Sequence, residues 1–112
     1  MSTKAVQAEH LVAADLSGKG YAISFPTSDM HPFDMIATKN SETLKIQVKL
    51  LYESSFQRFS TGNDLTKYKK GDFDLLAVVF PSDYEVRYLK FDEMNGRRRL
   101  SFKQDQFTQP LI

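Results

Sequence analysis

The sequence predicts a single α/β domain, residues 1–112, in which a mixed sheet of about five strands is flanked by helices. An N-terminal segment has apolar residues at helical spacing, and five later segments have the alternating or continuously apolar pattern of strands. A chain of 112 residues is long enough for one hydrophobic core and too short for two. The predicted helix covers residues 4–17, and the predicted strands cover residues 21–26, 33–38, 44–51, 74–80 and 85–91.

The predicted helix carries one apolar stripe and ends before a pair of glycines, Gly18 and Gly20. The stripe is formed by Ala5, Ala8, Val12 and Leu16. Glu9 falls on this same stripe, so we expect its carboxylate to point toward the body of the domain. A carboxylate in such a position needs a partner.

The segment from residue 44 to residue 51 alternates between apolar and polar side chains. Its apolar face is formed by Leu44, Ile46, Val48 and Leu50. Gln47 and Lys49 share the opposite face, because side chains two residues apart in a strand point the same way. A polar turn at residues 39–43 makes this strand the second arm of a hairpin, so Asp34 on the first arm approaches the same face. Three polar side chains are therefore expected to converge.

Residues 52–71 are polar and irregular, with Gly62, Asn63 and Asp64 as turn formers. This length of irregular chain predicts a functional or mobile loop with room for a short helical turn. The strand that follows is almost wholly apolar, as is typical of a strand covered on both faces.

Asp34, Gln47 and Lys49 together suit the hydrolysis of phosphodiester bonds. A carboxylate and a neighbouring carbonyl oxygen can hold Mg²⁺, which polarises the phosphate and lowers the pKa of a water molecule. A lysine can stabilise the attacking hydroxide or the charge that develops on the phosphate. Each residue alone has a simpler explanation as a solvated polar side chain, and only the joint pattern indicates a nuclease.

This pattern resembles that of the PD-(D/E)XK nuclease superfamily. The resemblance rests on Pro32-Phe33-Asp34, a hairpin-length gap and Gln47-Val48-Lys49, with Glu9 on the preceding helix as a further acidic residue. It is strongest to the small group I intron-associated, homing-type endonucleases and extends more distantly to the archaeal Holliday junction resolvases. It covers roughly residues 5–91 and implies a restriction-endonuclease-like core, with a helix, a mixed sheet of four or more strands and a further helix.

The resemblance also implies roles for individual residues. Asp34 would be the main metal ligand, Val48 would offer its backbone carbonyl, Lys49 would be the catalytic lysine, and Glu9 would bind the metal directly or through water. Gln47 stands where an aspartate or glutamate is usual, and it looks like the variant found in the intron-associated group. An amide oxygen is a poorer ligand than a carboxylate, which would weaken metal affinity and increase dependence on Glu9. The implied cofactor is Mg²⁺, with Mn²⁺ as a possible substitute.

Two basic clusters stand out in a chain whose net charge is only +1. They consist of Lys67, Lys69 and Lys70 before the apolar strand, and of Arg97, Arg98 and Arg99 near the C-terminus. Both suit sequence-independent contacts with the phosphates of double-stranded or branched DNA. A solvated turn is the simpler explanation of either cluster taken alone.

The composition excludes several other classes of site. Because the chain has no cysteine, neither a disulfide framework nor a thiolate zinc site is possible. His10 and His31 have no partner at metal-ligand spacing, so we expect neither to be catalytic. No apolar run approaches the roughly 18 to 20 residues that span a bilayer, and no signal-peptide core is recognisable, so we expect a cytoplasmic protein with no membrane partner.

Two classes of function remain open from the sequence. The first is a DNA endonuclease, either site-specific like a homing enzyme or specific for a branched structure like a Holliday junction resolvase. One chain offers one active site, so paired cuts would require a homodimer or a higher homo-oligomer. The second class is a catalytically inactive DNA-binding or assembly module with the nuclease fold. Metal-dependent nicking of plasmid DNA separates the two classes.

Overall fold

The computed structural model describes residues 3–28, 30–62 and 65–104. Helix α1 spans Thr3–Gly18, as the apolar stripe predicts. Eight strands follow in the described residues: β1 (Ala22–Ser24), β2 (Met35–Lys39), β3 (Glu42–Leu50), β4 (Tyr52–Ser55), β5 (Arg58–Ser60), β6 (Leu75–Val79), β7 (Val86–Lys90) and β8 (Ser101–Lys103). The five strands predicted from the sequence correspond to β1, β2, β3, β6 and β7.

These five strands form one mixed sheet in the order β1-β2-β3-β6-β7. The central pair, β3 and β6, is parallel, whereas the other neighbouring pairs are antiparallel. Strand β6 is buried along its whole length, which agrees with the continuously apolar sequence from which it was predicted. The predicted α/β class and the mixed sheet are confirmed.

A two-residue turn joins β2 to β3 and sets their register. Lys39 pairs with Glu42, and Met35 at the other end of the hairpin pairs with Ile46. The two turn residues, Asn40 and Ser41, have φ angles of 51° and 68°. Positive φ at both positions gives a turn whose twist matches that of the strands, and asparagine tolerates this conformation better than most residues.

Helix α1 covers one face of the main sheet. Its buried residues, Ala8, Val12 and Leu16, pack with alternate residues of the central strands, Met35, Ala37, Ile46, Val48, Leu75, Ala77 and Val79. The side chains between these positions must point to the other face, because the side-chain period of a strand is two. No helix in the described residues is long and apolar enough to cross a membrane.

Three contacts fix the C-terminal end of α1 on the sheet. The Tyr88 hydroxyl donates a hydrogen bond of 2.6 Å to Asp15 Oδ2, and Lys19 Nζ lies 2.7 Å from the same oxygen. Lys39 Nζ, at the end of β2, donates to the Lys19 carbonyl at 2.8 Å. Burial and the hydrogen bond to Asp15 raise the pKa of Tyr88 far above its usual range. The hydroxyl therefore remains protonated, and a donor to Asp15, at neutral pH.

The opposite face of the main sheet is covered mainly by a second, smaller sheet. Strands β4, β5 and β8 form this sheet in that order, and Phe59 of β5 packs edge-on against Phe80 with ring centroids 5.0 Å apart. The further helix that the resemblance implies is not found in the described residues, where two short 3₁₀ turns, Leu65–Lys67 and Phe91–Met94, accompany the small sheet. The physical reason is that Phe59 and Phe102 on these strands already bury the apolar residues of that face.

The segment expected to be irregular is therefore partly regular. The predicted short helical turn is present at Leu65–Lys67, but β4 and β5 were not predicted. Both strands have three or four residues, which is too short for alternation to be recognised, and β4 is exposed at every position.

Candidate active site

Asp34 lies directly before β2 and is fixed to β3 through both its main chain and its side chain. Its N–H donates to the Ile46 carbonyl at 2.7 Å, and its Oδ2 accepts a hydrogen bond of 2.8 Å from the Val48 N–H. The side chain thus extends the hydrogen-bonding ladder beyond Met35, the first residue of β2, by satisfying a backbone donor of β3. No hydrogen bond from the described residues reaches Oδ1, which leaves this oxygen available to a ligand.

The carbonyl of Val48 points to the same open edge. Main-chain groups of successive strand residues face alternate neighbours, and the Lys45 carbonyl faces the β6 side, where it accepts from the Asp74 N–H at 2.8 Å. The even-numbered residues Ile46 and Val48 therefore face β2. Since β2 begins only at Met35, the Val48 carbonyl faces the gap beside the carboxylate of Asp34.

Gln47 lies beside this gap and is almost fully buried, with 8% of its surface exposed. Met35 pairs with Ile46, so extending the register by one residue places Gln47 directly opposite Asp34. The Cβ atoms of residues opposed in this way are typically about 4.5–5.5 Å apart. The Nε2 atom of Gln47 lies 3.4 Å from the Val48 carbonyl oxygen, which makes a long hydrogen bond. A half-turn of the amide places Oε1 there instead, with almost the same shape. The side chain can therefore present an oxygen at the point that Asp34 and Val48 face.

Lys49 follows two residues later on the same face of β3 and is half-buried. Its ammonium group lies 5.6 Å from the centre of the Tyr68 ring, and that of Lys67 lies 5.1 Å from the same centre. The ring is supported edge-on by Phe73 at 5.1 Å. Tyr68 was not predicted from the sequence, because it lies in a segment without periodicity and reaches the site only through tertiary packing.

The charges of the site are partly desolvated. Burial raises the pKa of Asp34, although the hydrogen bond from Val48 and the charge of Lys49 oppose this change. Burial and the nearby charge of Lys67 lower the pKa of Lys49, and Asp34 opposes that change. Burial, together with the charges of Asp34 and Asp72, raises the pKa of Tyr68, so its hydroxyl stays protonated at neutral pH. A carboxylate whose pKa is raised by burial favours a bound cation.

Glu9 lies on the half-buried flank of α1, at the same end of the sheet as Asp34. The bond from Lys39 to the carbonyl of Lys19 brings the end of the helix next to the end of β2. Glu9 lies ten residues before Lys19, roughly 15 Å back along the helix. Asp34 lies five residues before Lys39, roughly 17 Å back along the strand. Because α1 covers the opposite face of the sheet, any ligand shared by the two carboxylates must lie past the open end of β2.

The donors at this end of the sheet fit a hard divalent cation. Among residues 3–28, 30–62 and 65–104, no group of three or more histidine, aspartate or glutamate side chains is placed to hold a metal. The candidate site instead offers the carboxylate of Asp34, the carbonyl of Val48 and the amide of Gln47, with Glu9 at the same level. Mg²⁺ is typically held by one or two carboxylates and keeps several water molecules, so this oxygen set suits it better than a metal that needs a closed cage.

The two basic clusters predicted from the sequence are neighbours in space. The Leu65 N–H donates to the Arg98 carbonyl at 2.8 Å, so the 3₁₀ turn that ends at Lys67 lies against the arginine segment. Lys70 is paired with Asp92 at 2.7 Å, and both side chains are largely exposed. The members of both clusters are exposed: Lys67, Lys69, Lys70, Arg97, Arg98 and Arg99. They form a basic border on one side of the candidate site.

Two further aspartates near the site serve the backbone. Asp72 Oδ2 accepts from the Lys69 N–H, and Asp74 Oδ2 accepts from the Lys45 N–H, each at 2.8 Å. Asp72 thereby closes the turn that contains Gly71, whose φ of 98° suits glycine. These carboxylates position the loop and the strand on either side of the site.

Comparisons with known proteins identify the family and the fold of this chain. The family model described as PD-(D/E)XK endonuclease matches residues 1–101. Protein 5.3 of Escherichia phage T7 is 31% identical over 98 residues, which covers 80% of this chain and 79% of that protein. The bacterial homing endonuclease I-Ssp6803I has a similar structure, with a TM-score of 0.80 and 17% identity over 99% of this chain and 86% of that one. A Holliday junction resolvase from the archaeal hyperthermophile Archaeoglobus fulgidus gives a TM-score of 0.61 and 15% identity over 92% of this chain and 86% of that one. At such identities the two solved structures show a shared fold.

Proposed function

Because this chain belongs to the PD-(D/E)XK endonuclease family, we propose that it is a divalent-metal-dependent endonuclease that hydrolyses phosphodiester bonds of DNA. The observation that carries the proposal is the placement of Asp34. Its carboxylate is held by the Val48 N–H at 2.8 Å, opposite Gln47 and on the face of β3 that carries Lys49. A carboxylate, an amide oxygen and a lysine around one phosphate suit metal-dependent hydrolysis of a phosphodiester bond.

Asp34, Val48 and Gln47 would hold the metal ion, with Glu9 contributing directly or through water. Bound there, Mg²⁺ or Mn²⁺ would polarise the scissile phosphate and lower the pKa of a water molecule. The bond from Val48 fixes the direction of the Asp34 carboxylate before any ligand arrives, so little side-chain freedom is lost on binding. The amide of Gln47 adds an oxygen without adding a charge beside Asp34.

Lys49 would bind the scissile phosphate through its ammonium group and stabilise the negative charge that develops on it. The side chain is half-buried and lies over the ring of Tyr68, which limits its motion and keeps water from part of it. A charge aimed in advance at the reacting group contributes to rate because it need not reorganise during the reaction.

The basic border would bind the DNA backbone on one side of the site. Lys67 and Lys69 lie on the turn beside Lys49, and Arg97–Arg99 lie against that turn. Contacts of this kind give affinity and register on the duplex without reading its sequence. Substrate choice would then depend on other contacts to the bases or on the shape of the DNA.

Two DNA substrates deserve a direct comparison. One of the structural neighbours is a homing endonuclease and the other is a Holliday junction resolvase, so a duplex site and a four-way junction are the natural candidates. Cleavage of a four-way junction beside a linear duplex of the same sequence, with Mg²⁺ and with Mn²⁺, decides between them. We also propose that the active form is a homodimer or a higher homo-oligomer, since paired cuts in two strands need two sites. Light scattering with and without DNA tests that state.

The nuclease proposal itself is tested by nicking of supercoiled plasmid DNA. We expect conversion to the relaxed form with Mg²⁺ or Mn²⁺, none with EDTA, and loss of the reaction in Lys49→Ala. Lys39→Gln is the matched control, because this lysine lies at the far end of β2 and bonds to the Lys19 carbonyl. A protein that binds DNA but does not nick it with either metal would instead be an inactive DNA-binding or assembly module.

A further inference from the structure

Lys67 has a position that its membership of a surface cluster does not explain. Its ammonium group lies 5.1 Å from the centre of the Tyr68 ring, and Lys49 lies 5.6 Å from the same centre. Two cations thus share one aromatic ring at the edge of the active site. Within the described part of the chain, no hydrogen bond or ion pair neutralises Lys67.

The neighbouring lysines are oriented differently. Lys70 Nζ lies 2.7 Å from both carboxylate oxygens of Asp92, so its charge is already balanced. Lys45 Nζ donates to the Gly71 carbonyl, which ties it to the backbone of the same loop. Lys67 differs from both, because its charge adds to that of Lys49 and is not compensated.

The turn that carries Lys67 is well anchored. Leu65 is buried, with 2% of its surface exposed, and its N–H donates to the Arg98 carbonyl at 2.8 Å. The Tyr68 N–H donates to the Leu65 carbonyl at 3.2 Å, and the Tyr68 ring is packed edge-on against Phe73. The position of Lys67 beside Lys49 is therefore a property of the fold.

We propose that Lys67 is a second phosphate-binding lysine of the active site, which contacts the scissile phosphate together with Lys49. This proposal rests on the nuclease function proposed above. The two ammonium groups repel each other, and an anion contacted by both reduces that repulsion while accepting a charge-assisted hydrogen bond from each. Both lysines lie against the Tyr68 ring, which places their ammonium groups at the same edge of the active site.

Two measurements test the proposal, and the first does not depend on cleavage. Lysine side chains labelled with ¹³C are observed by NMR while inorganic phosphate is added to the full chain. We expect the signals of Lys49 and Lys67 to shift together, with those of Lys39 unmoved. In Lys67→Gln, the phosphate affinity measured from the shift of the Lys49 signal should fall several-fold, because one of the two cations is lost.

The second measurement is the single-turnover rate of plasmid nicking at saturating protein. Lys67→Gln should lower this rate by about 10-fold, less than the 100-fold or more typical of a fully enclosed charge, because Lys67 is exposed. Lys67→Arg should recover most of the rate, since it restores the charge. Lys69→Gln removes a charge two residues away and should affect DNA affinity more than rate, whereas Lys39→Gln should change neither.

The outcomes separate the two proposals. If Lys67→Gln and Lys69→Gln affect rate equally and phosphate moves no Lys67 signal, Lys67 belongs to the general DNA-binding surface and the inference is wrong. If the parent protein fails to nick DNA but phosphate shifts Lys49 and Lys67 together, the nuclease function fails while the paired anion site stands. If neither effect is seen, both proposals fail.

Discussion

Asp34→Asn should make the protein more stable while removing its activity. The carboxylate is half-buried, and burial raises its pKa, which means that the charged form is unfavourable in the folded protein without a metal. The amide of the variant carries no charge but keeps an oxygen that can accept the hydrogen bond from the Val48 N–H. We expect the free energy of unfolding to rise by about 0.5–1 kcal/mol, which is typical when a functional group that strains the fold is replaced.

Asp34→Ala is the matched control, because it removes the charge and the acceptor together. The Val48 N–H then has no partner at the end of β2, and an unsatisfied backbone donor costs about 1–3 kcal/mol. One kcal/mol corresponds to roughly 4–8 °C in a domain of about 100 residues. The two variants should therefore melt on opposite sides of the parent, although neither should bind Mg²⁺ or cleave DNA.

The difference in stability between Asp34→Asn and the parent should depend on pH. The ordinary pKa of the aspartate is 3.8, and the pKa of Asp34 is higher than this in the folded protein. The folded state thus binds the proton more tightly than the unfolded state, so this group costs stability as the pH rises from below 3.8 through the raised pKa. The advantage of Asp34→Asn should be absent below pH 3.8, should develop across that window and should be complete at neutral pH.

The assay is urea or thermal unfolding of the parent and the two variants in EDTA, at about pH 4 and about pH 7.5. Calorimetric titration with Mg²⁺ and the nicking assay complete the set. The reasoning is refuted if Asp34→Asn is as unstable as Asp34→Ala at neutral pH, because burial would then not be the cause of the shift. Cleavage by Asp34→Asn at the parental rate would remove Asp34 from the list of ligands.

Three other predictions address the remaining residues of the site. Lys49→Ala should lower the nicking rate by about 100-fold or more while changing stability by only about 0.5 kcal/mol, and a parental rate would contradict the role of Lys49. Gln47→Glu should keep or raise activity in the same assay, because a carboxylate is the stronger metal ligand. The melting temperature of this variant in EDTA should fall, since the new carboxylate lies opposite that of Asp34 and repels it. Added Mg²⁺ should restore the melting temperature. A folded Gln47→Glu protein that binds DNA but does not cleave would show that the amide is required. Replacing Arg97–Arg99 by glutamine should reduce the slope of log affinity against log salt by about 0.9 for each lost phosphate contact, and an unchanged slope in filter binding would place the DNA elsewhere.

The sequence was sufficient to predict the central hairpin and the residues that it brings together. Strict alternation in β3 assigns Gln47 and Lys49 to one face, and the polar turn before β3 brings Asp34 to that face. These are local patterns with a period of two residues, and the buried partners Ile46 and Val48 strengthen them. The same reasoning predicts β6, because its run of apolar residues has no polar position to expose.

Other parts of the site depend on contacts that no local pattern encodes. The approach of Tyr68 and Lys67 to Lys49 requires the 3₁₀ turn to be held by the backbone of Arg98, more than thirty residues further along the chain. The hydrogen bond from the Val48 N–H to Asp34 requires β2 to begin only at Met35, so that the Asp34 side chain takes the place of a backbone acceptor. The small sheet was missed because β5 and β8 have three residues each and gain their order from pairing with one another.

The two-residue turn at Asn40 and Ser41 influences the candidate active site from the other end of the hairpin. The turn lies roughly 20 Å along β2 from Asp34, yet its length helps to set which residue of β3 stands opposite that carboxylate. A slip of one residue in a strand sends its side chains to the other face, so a single inserted residue there would bring Ile46 or Val48 opposite Asp34 instead of Gln47. A change in the length of this distant loop is therefore expected to disrupt the candidate active site even when every residue of that site is unchanged.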